Sequence, residues 1–230
     1  MNEDQTCTVL DGVYKRTGKI NIVSAGRTEG ITLNIGFDNS EAYSAWKAKK
    51  LNSITLPSIS GGTVSGLMSS INWFFTDSHE DFAIFQIVVK NDSKDGTYYP
   101  QYINRITLDS NGEYALCYQA RTETLLINDT PTETSLPEGY GVAPFLYVHR
   151  VLDFIFSEFG YTITENPFKT DKELSSLVIL NNAADCCVTG ILNYADLMPD
   201  CTIEDFLNAL YVRFGLVYNV SSDTKTATLR

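Results

Sequence analysis

The sequence has few of the residues and patterns from which enzymes and membrane proteins are usually built. Among its 230 residues there are only two histidines, and no G-x-S-x-G segment occurs. Histidine is the most common general base near neutral pH, so acid–base catalysis has few candidates here. No apolar run approaches the roughly 18 residues that a membrane-spanning helix requires. We therefore expect a soluble protein without a membrane span.

Basic residues are also scarce, with 17 Lys and Arg against 28 Asp and Glu, a formal net charge of −11. A field of this sign repels nucleic acid unless a local basic patch compensates for it. The densest basic stretch contains Lys47, Lys49 and Lys50, and its spacing is typical of a helix C-terminus, where cations complement the helix dipole. The composition therefore predicts that nucleic acid is not a partner.

The cysteines do not form a disulfide or zinc framework. Their number is odd, no repeated C-x-x-C spacing occurs, and two of them are adjacent: Cys7, Cys117, Cys186, Cys187 and Cys201. Adjacent cysteines rarely bond to each other because the geometry is strained. The N-terminus has neither a basic start nor an apolar run, so no signal peptide is predicted. We expect reduced, mostly buried thiols in a cytosolic setting.

The first half of the chain has the pattern of short strands separated by turns. Residues 19–23 and 31–35 alternate apolar and polar side chains, which predicts a hairpin, and the capping-box spacing of Asp38 and Glu41 predicts a short helix after it. Residues 57–66 are interpreted as a loop or an irregular strand. Residues 82–89 form a continuous β-type run, and the turn 109–112 predicts a second hairpin between 103–108 and 114–118.

Two stretches of the C-terminal part carry the same spacing of large apolar residues. The first contains Val148, Val151, Leu152, Ile155, Phe156 and Phe159. The second, 55 residues later, contains Ile203, Phe206, Leu207, Leu210, Tyr211 and Phe214. Positions i, i+3, i+4, i+7, i+8 and i+11 lie on one face of a helix, so the pattern predicts two amphipathic helices with these side chains buried.

Each of these helices is followed by a glycine and then by strand-like alternation. Gly160 and Gly215 can adopt the left-handed conformation that ends a helix. Residues 161–164 and 216–220 then alternate as strands do, so we predict two helix–glycine–strand units, called here the first and second repeat. Thr202 and Asp205 have the spacing of a capping box for the second helix. Residues 221–224 and 225–230 are predicted to be a turn and a returning strand.

These patterns together predict an α+β protein with two domains. A β-rich domain with one short helix is expected over residues 1–127, and a smaller α+β domain with both repeats over 145–230. Residues 128–144 contain three prolines and two glycines with few large apolar residues. They are interpreted as a linker or a long loop between the domains.

No group of residues has the spacing of a catalytic, cofactor-binding or metal site. His149 lies beside the apolar stripe of the first helix and is interpreted as a structural histidine with satisfied hydrogen bonds. His79, in the acidic segment 77–81, could serve as a metal ligand, but a polar turn is the preferred interpretation. Residues 91–96 partly resemble a calcium loop, but Tyr102 occupies the position of the bidentate glutamate.

The candidates for a phosphate-binding loop and for a catalytic thiol also lack the residues that these sites require. Residues 61–66 are rich in glycine but lack the Gly-Lys-Ser/Thr sequence of a phosphate-binding loop. Cys186 and Cys187 have no histidine placed to activate a thiolate. The sequence therefore predicts no cofactor, no metal and no enzymatic activity.

Residues 197–230 resemble a helix–strand module of structural proteins in phage and prophage tails, around the baseplate or hub. The resemblance rests on Pro199, Thr202, Ile203, Asp205-Phe206-Leu207 and Phe214-Gly215-Leu216. Residues 145–164 resemble the module more loosely, and residues 14–51 are compatible with the β-rich leading domain of such proteins. The resemblance implies a virion component that assembles with copies of itself and with other tail or baseplate proteins. It also implies a location in the virion, or in the host cytoplasm during assembly.

Two alternatives remain open from the residues. Ring-forming modules of exported proteins use similar helix–strand patterns, but the expected absence of a leader and the unpaired cysteines count against them. The chain contains 13 Tyr and 12 Phe, which would also suit a module that binds glycans or peptides.

Overall fold

A computed structural model describes residues 5–11, 14–26, 30–37, 46–71, 79–88, 101–109, 111–127 and 130–230. Both helices and strands occur in them, which confirms the α+β class. The helices are α1 Val64–Ile71, α2 Val148–Glu158, α3 Pro167–Thr170 and α4 Ile203–Phe214, and 3-10 helices cover Leu51–Ser53, Leu174–Ser176 and Tyr194–Leu197. The strands are β1 Gln5–Asp11, β2 Tyr14–Gly26, β3 Gly30–Phe37, β4 Ser58–Ser60, β5 Phe82–Ala83, β6 Ile87–Val88, β7 Tyr102–Ile103, β8 Ile106–Leu108, β9 Tyr114–Leu116, β10 Arg121–Ile127, β11 Thr130–Leu136, β12 Phe145–Leu146, β13 Thr162–Glu165, β14 Ile191–Asn193, β15 Tyr218–Ser221 and β16 Thr226–Leu229.

The chain forms two compact units whose boundaries differ from those of the predicted domains. Unit A contains Met1–Lys50, Ile155–Pro167 and Cys201–Arg230, and unit B contains Leu51–Phe154 and Phe168–Asp200. The N-terminal segment joins the repeats in unit A because Trp46 packs against Phe156 and Tyr218, with ring centroids 5.2 and 5.0 Å apart. The predicted division at residues 128–144 relied on local composition, and local composition does not report contacts between distant segments.

The predicted linker is partly a strand. Within residues 128–144, β11 pairs antiparallel with β10, from Arg121 opposite Leu136 to Ile127 opposite Thr130. Pro131 lies in this strand because β10 and β11 form a two-stranded sheet, in which each strand is an edge that tolerates proline. The threonines of β11 are β-branched and favour the extended backbone, a preference that the prolines and glycines of the segment concealed.

The antiparallel sheet of unit A confirms the predicted N-terminal hairpin. Its strand order is β1-β2-β3, and the register places Ile20 opposite Ile35 and Ile22 opposite Leu33. The short helix predicted after Asp38 falls mostly outside the described residues, which begin again at Trp46 with a helical turn. The turn predicted over residues 91–96 also lies outside them.

Unit B contains an element that the sequence pattern did not indicate. Residues 58–60 form β4, but Val64 begins α1, where a loop or irregular strand was predicted through residue 66. The glycines allow this compact arrangement, since a Cβ atom on Gly66 would lie 2.2 Å from the carbonyl oxygen of Gly61. Helix α1 buries Leu67, Met68 and Ile71. The glycine-rich sequence is therefore explained by close backbone approach.

The predicted run at residues 82–89 is interrupted in unit B. Strands β5 and β6 are separated by residues 84–86, and Val89 lies outside the described residues. The buried side chain of Asn104 lies at this break and donates hydrogen bonds to the carbonyl oxygens of Phe85 and Ala143, at 3.1 and 2.8 Å. The hairpin predicted around residues 109–112 is confirmed, with Leu108 opposite Tyr114 in β8 and β9.

Candidate functional site

The two predicted repeats are present, and each helix ends at its glycine. Gly160 and Gly215 have φ values of +75° and +73°, in the left-handed region. After α2, the amide of Tyr161 donates to the carbonyl oxygen of Phe156 at 2.9 Å. After α4, the amide of Gly215 donates to the carbonyl oxygen of Tyr211 at 2.8 Å. These bonds satisfy carbonyl groups at the helix ends, so the glycines act as the sequence predicted.

Both repeats contribute a strand to one three-stranded sheet in unit A. The order is β13-β16-β15, with β16 parallel to β13 and antiparallel to β15. Strand β16 is the predicted returning strand, and it lies between the strands of the two repeats. The sheet therefore brings together segments that are more than fifty residues apart in the sequence.

Helix α4 begins with the predicted capping box. The Thr202 hydroxyl accepts a hydrogen bond from the Asp205 amide at 3.1 Å, and the Asp205 carboxylate accepts one from the Thr202 amide at 3.1 Å. Hydrogen bonds from the side chain and the backbone of Thr202 lower the pKa of Asp205. The start of α4 is therefore stabilised by local contacts.

The outer end of the first repeat is covered by aromatic side chains. Trp46 lies against Phe156 and Phe159, with ring centroids 5.2 and 5.8 Å apart. Lys49 forms an ion pair with Glu158 and lies 5.6 Å from the centre of the Phe159 ring. Phe156 is fully buried, and Phe159 is half-buried. The stripe of α2 is therefore buried as predicted, apart from the partial exposure of Phe159.

The outer end of the second repeat is exposed. Ile203, Phe206, Leu207 and Leu210 of α4 are buried as predicted. The prediction was wrong for the last two residues of the stripe, since Tyr211 is 59% exposed and Phe214 is 43% exposed. Two more apolar side chains nearby are exposed, Val212 at 82% and Val217 at 57%. We call the group of Tyr211, Val212, Arg213, Phe214 and Val217 the α4 tip.

A buried polar network in unit B fixes the start of α2. Arg150 Nε donates to Asp81 Oδ1 at 2.5 Å, and the Tyr194 hydroxyl donates to Asp81 Oδ2 at 2.9 Å. Burial and the hydrogen bond to Asp81 raise the pKa of Tyr194 well above its usual value. No pattern in the sequence indicated this network, because its three members lie in separate segments with no shared motif.

The two histidines lie near this network. His79 Nδ1 accepts a hydrogen bond from the Asp81 amide at 3.1 Å, and the ring stacks on Phe82 with centroids 3.9 Å apart. The His149 ring stacks on Tyr147 at 5.2 Å. Burial lowers the pKa of both histidines. The prediction that the hydrogen bonds of His149 are satisfied is wrong for Nδ1. This atom is buried without a hydrogen-bond partner among the described residues.

The adjacent cysteines are buried thiols. Cys186 Sγ donates to the carbonyl oxygen of Val142 at 3.2 Å and lies 3.8 Å from Cys187 Sγ. The hydrogen bond with Cys187, together with burial, raises the pKa of Cys186 far above its usual value. A thiol in this state is a poor nucleophile, because the thiolate is the reactive form. The pair therefore contributes to packing.

Comparisons with known proteins give no assignment. No family model, curated protein or solved structure matches the chain. In the part of the chain that the structure describes, no three His, Cys, Asp or Glu side chains are grouped so that they could hold a metal ion. No described helix has the length and apolar character needed to cross a bilayer. The α4 tip is a candidate binding surface, because large apolar side chains there face solvent.

Proposed function

We propose that the chain is a structural protein of a phage or prophage tail, at or near the baseplate. It works by contacts with other tail proteins and with copies of itself, in the host cytoplasm during assembly and then in the virion. The proposal combines the resemblance of residues 197–230 to a tail module with the exposed apolar side chains of the α4 tip. The α4 tip is the observation that carries it.

The exposure of the α4 tip favours an assembly role for an energetic reason. Burying a large apolar side chain contributes about 1.5–3 kcal/mol, and three side chains of the α4 tip are more than half exposed: Tyr211, Val212 and Val217. These side chains are not buried within the folded chain, so the free energy of burying them can be gained when the chain associates with another protein. Large apolar patches on soluble proteins frequently mark such contact sites.

Several side chains that could act in catalysis instead contact other parts of the fold, which agrees with a role other than catalysis. Asp81 binds Arg150 and Tyr194, and the Cys186 thiol donates to a backbone carbonyl. His79 is stacked on Phe82. These groups hold the fold together, and each would have to leave its partner to act on a substrate.

The test is co-expression of the tagged chain with the proteins encoded beside its gene. We expect the chain to co-purify with a tail structural protein and to be found by mass spectrometry in purified particles. An untagged co-expression provides the control for non-specific retention. If the chain is absent from particles and binds none of the neighbouring gene products, the tail proposal is wrong.

A further inference from the structure

The turn between β8 and β9 contains the only Asn-Gly pair in the sequence, Asn111 followed by Gly112. Both residues are exposed. Gly112 has a φ of +80°, and a Cβ atom placed on it would meet no other atom within 4 Å. Few contacts depend on the tip of such a turn, so it can open without disturbing the core. Water therefore reaches this pair directly.

An asparagine followed by glycine can lose ammonia in a reaction within the main chain. The backbone nitrogen of Gly112 gives its proton to hydroxide and attacks Cγ of Asn111. The new bond closes a five-membered succinimide ring, the bond from Cγ to Nδ2 breaks, and Nδ2 takes a proton from water and leaves as ammonia. Water then opens the ring at one of its two carbonyl groups. The products are aspartate or isoaspartate, and no oxidant or cofactor takes part.

The surroundings of Asn111 favour this reaction over the same reaction at other asparagines. Gly112 has no Cβ atom to hinder the approach of its nitrogen. The carboxamide of Asn111 has no hydrogen bond within the described ranges of the chain. Asn181, in contrast, is held at both ends of its carboxamide. Its Nδ2 atom donates to the carbonyl oxygen of Pro144 at 2.9 Å, and its Oδ1 atom accepts from the amide of Ala183 at 3.1 Å.

The folded turn slows the reaction through Asp109. The amide of Gly112 donates to the Asp109 carbonyl oxygen at 3.1 Å, which holds the attacking nitrogen in the turn. The carboxylate of Asp109 accepts from the amides of Asn111 and Glu113 at 2.8 and 2.9 Å. Its negative charge also disfavours loss of a proton from a nearby amide. The turn must therefore open locally before the ring can close.

We propose that Asn111 is a site of spontaneous deamidation, and that opening of the turn held by Asp109 sets its rate. The product adds a negative charge between Asp109 and Glu113. Isoaspartate also lengthens the main chain by one atom in the turn that sets Leu108 opposite Tyr114. Conversion therefore loosens this end of the hairpin. The inference is independent of the proposed function.

The experiment follows the purified, folded chain during storage in a mildly alkaline buffer. Peptide mapping by mass spectrometry measures the loss of each side-chain amide, and an isoaspartate-specific methyltransferase labels the expected main product. We expect Asn111 to be converted first, with release of ammonia. Conversion of Asn181 should be slower by about tenfold or more, because its two hydrogen bonds must break before the ring can close.

Two variants test the site and the turn separately. Asn111→Gln retains an exposed amide, but its ring would have six members and closes more slowly, so we expect neither methyltransferase labelling at this position nor the ammonia release of the unmodified chain. Asp109→Ala removes the two hydrogen bonds made by the carboxylate and its charge, so it should raise the rate at Asn111 severalfold. Circular dichroism checks that each variant is folded.

Each result bears on the inference directly. The site is wrong if Asn111 keeps its amide while Asn181 loses its own, a comparison that needs only the unmodified chain. It is also wrong if Asn111→Gln releases ammonia as fast as the unmodified chain. An unchanged rate in Asp109→Ala would refute the role of the turn. None of these results depends on assembly, so they leave the proposed function to its own test.

Discussion

The first and second repeats have the same local design but are stabilised differently. Each has a helix, a left-handed glycine and a strand of the β13-β16-β15 sheet. The start of α2 is fixed by Arg150, which reaches Asp81 in a distant segment, whereas Asp205 at the corresponding position of α4 caps its own helix. The end of α2 is covered by Trp46, and the end of α4 is exposed.

This comparison shows that an identical hydrophobic pattern does not ensure identical burial. A stripe specifies which face of a helix is apolar, but burial also requires another segment to cover that face. The first repeat has such a segment along its length. In the second repeat, we infer that the cover of the last turn comes from another molecule.

The largest expected difference is between truncations at the corresponding aromatic positions. Phe156→Ala should lower the free energy of unfolding by about 3–5 kcal/mol, because it leaves a cavity in the core. Tyr211→Ala should lower it by about 0.5 kcal/mol or less, because the side chain is mostly exposed. Urea unfolding of dilute samples measures both. Equal losses would mean that the ends of the two repeats do not differ in burial.

The next difference concerns the starts of the two helices. Asp81→Ala should cost about 2–3 kcal/mol, because Arg150 and the Tyr194 hydroxyl would lose their buried partner. Asp205→Ala should cost clearly less, because this carboxylate is exposed to solvent and acts only as part of a helix cap. Thermal and urea unfolding check both values, with Asp81→Asn as a milder control that retains an acceptor for Tyr194. A larger loss for Asp205→Ala than for Asp81→Ala would reverse the comparison.

The helix-ending glycines should behave alike. Gly160→Ala and Gly215→Ala are each expected to cost about 1–2 kcal/mol, because the left-handed backbone is unfavourable for a residue with a Cβ atom. A Cβ atom at either position would meet no other atom within 4 Å, so steric clash adds nothing. Urea unfolding should give similar values for the two variants. A difference of several kcal/mol would show that the two turns are not equivalent.

The smallest effect is a pH dependence near neutral pH that the first repeat contributes through a histidine. Burial lowers the pKa of His149, which corresponds to Glu204 in the second repeat. The unfolded chain, whose histidine titrates near 6.5, therefore binds a proton more readily than the folded protein does. Stability from this residue is present above about pH 6.5 and is lost as the pH falls towards the lower folded pKa.

His149→Gln should therefore reduce the loss of unfolding free energy between about pH 7.5 and 5.5. His79 has a lowered pKa as well, so His79→Gln provides a matched variant and the double variant should show the weakest pH dependence. An unchanged pH profile in the double variant would contradict the assignment of the effect to these histidines.

Local features of the fold could be predicted from the sequence, and long-range contacts could not. The spacing of Thr202 and Asp205 predicted the capping box, and Phe159-Gly160 and Phe214-Gly215 predicted the helix ends. These features depend on residues within one or two turns of each other. The Asp81–Arg150–Tyr194 network and the contact of Trp46 with Phe156 depend on how distant segments of the chain meet in the fold. The spacing of apolar residues within one segment does not indicate which distant segment will contact it.

The α4 tip shows the same limit for the candidate site. Tyr211 and Phe214 continue the apolar stripe without interruption, so the sequence predicts them to be core. One signal in the sequence did distinguish the repeats: Arg213 stands where the first repeat has Glu158, next to the last apolar residue. A reversed charge beside a repeated aromatic position can indicate that the two repeats meet different partners.

Hydroxyl-radical footprinting of Tyr211 and Phe156, in the dilute chain and in the complex with a co-purified tail protein, tests the proposed role of the second repeat most directly. We predict that Tyr211 is oxidised in the dilute chain and protected in the complex, while Phe156 is protected in both. Protection of Tyr211 in the dilute chain, or equal oxidation in both samples, would contradict an exposed α4 tip that another protein covers on assembly.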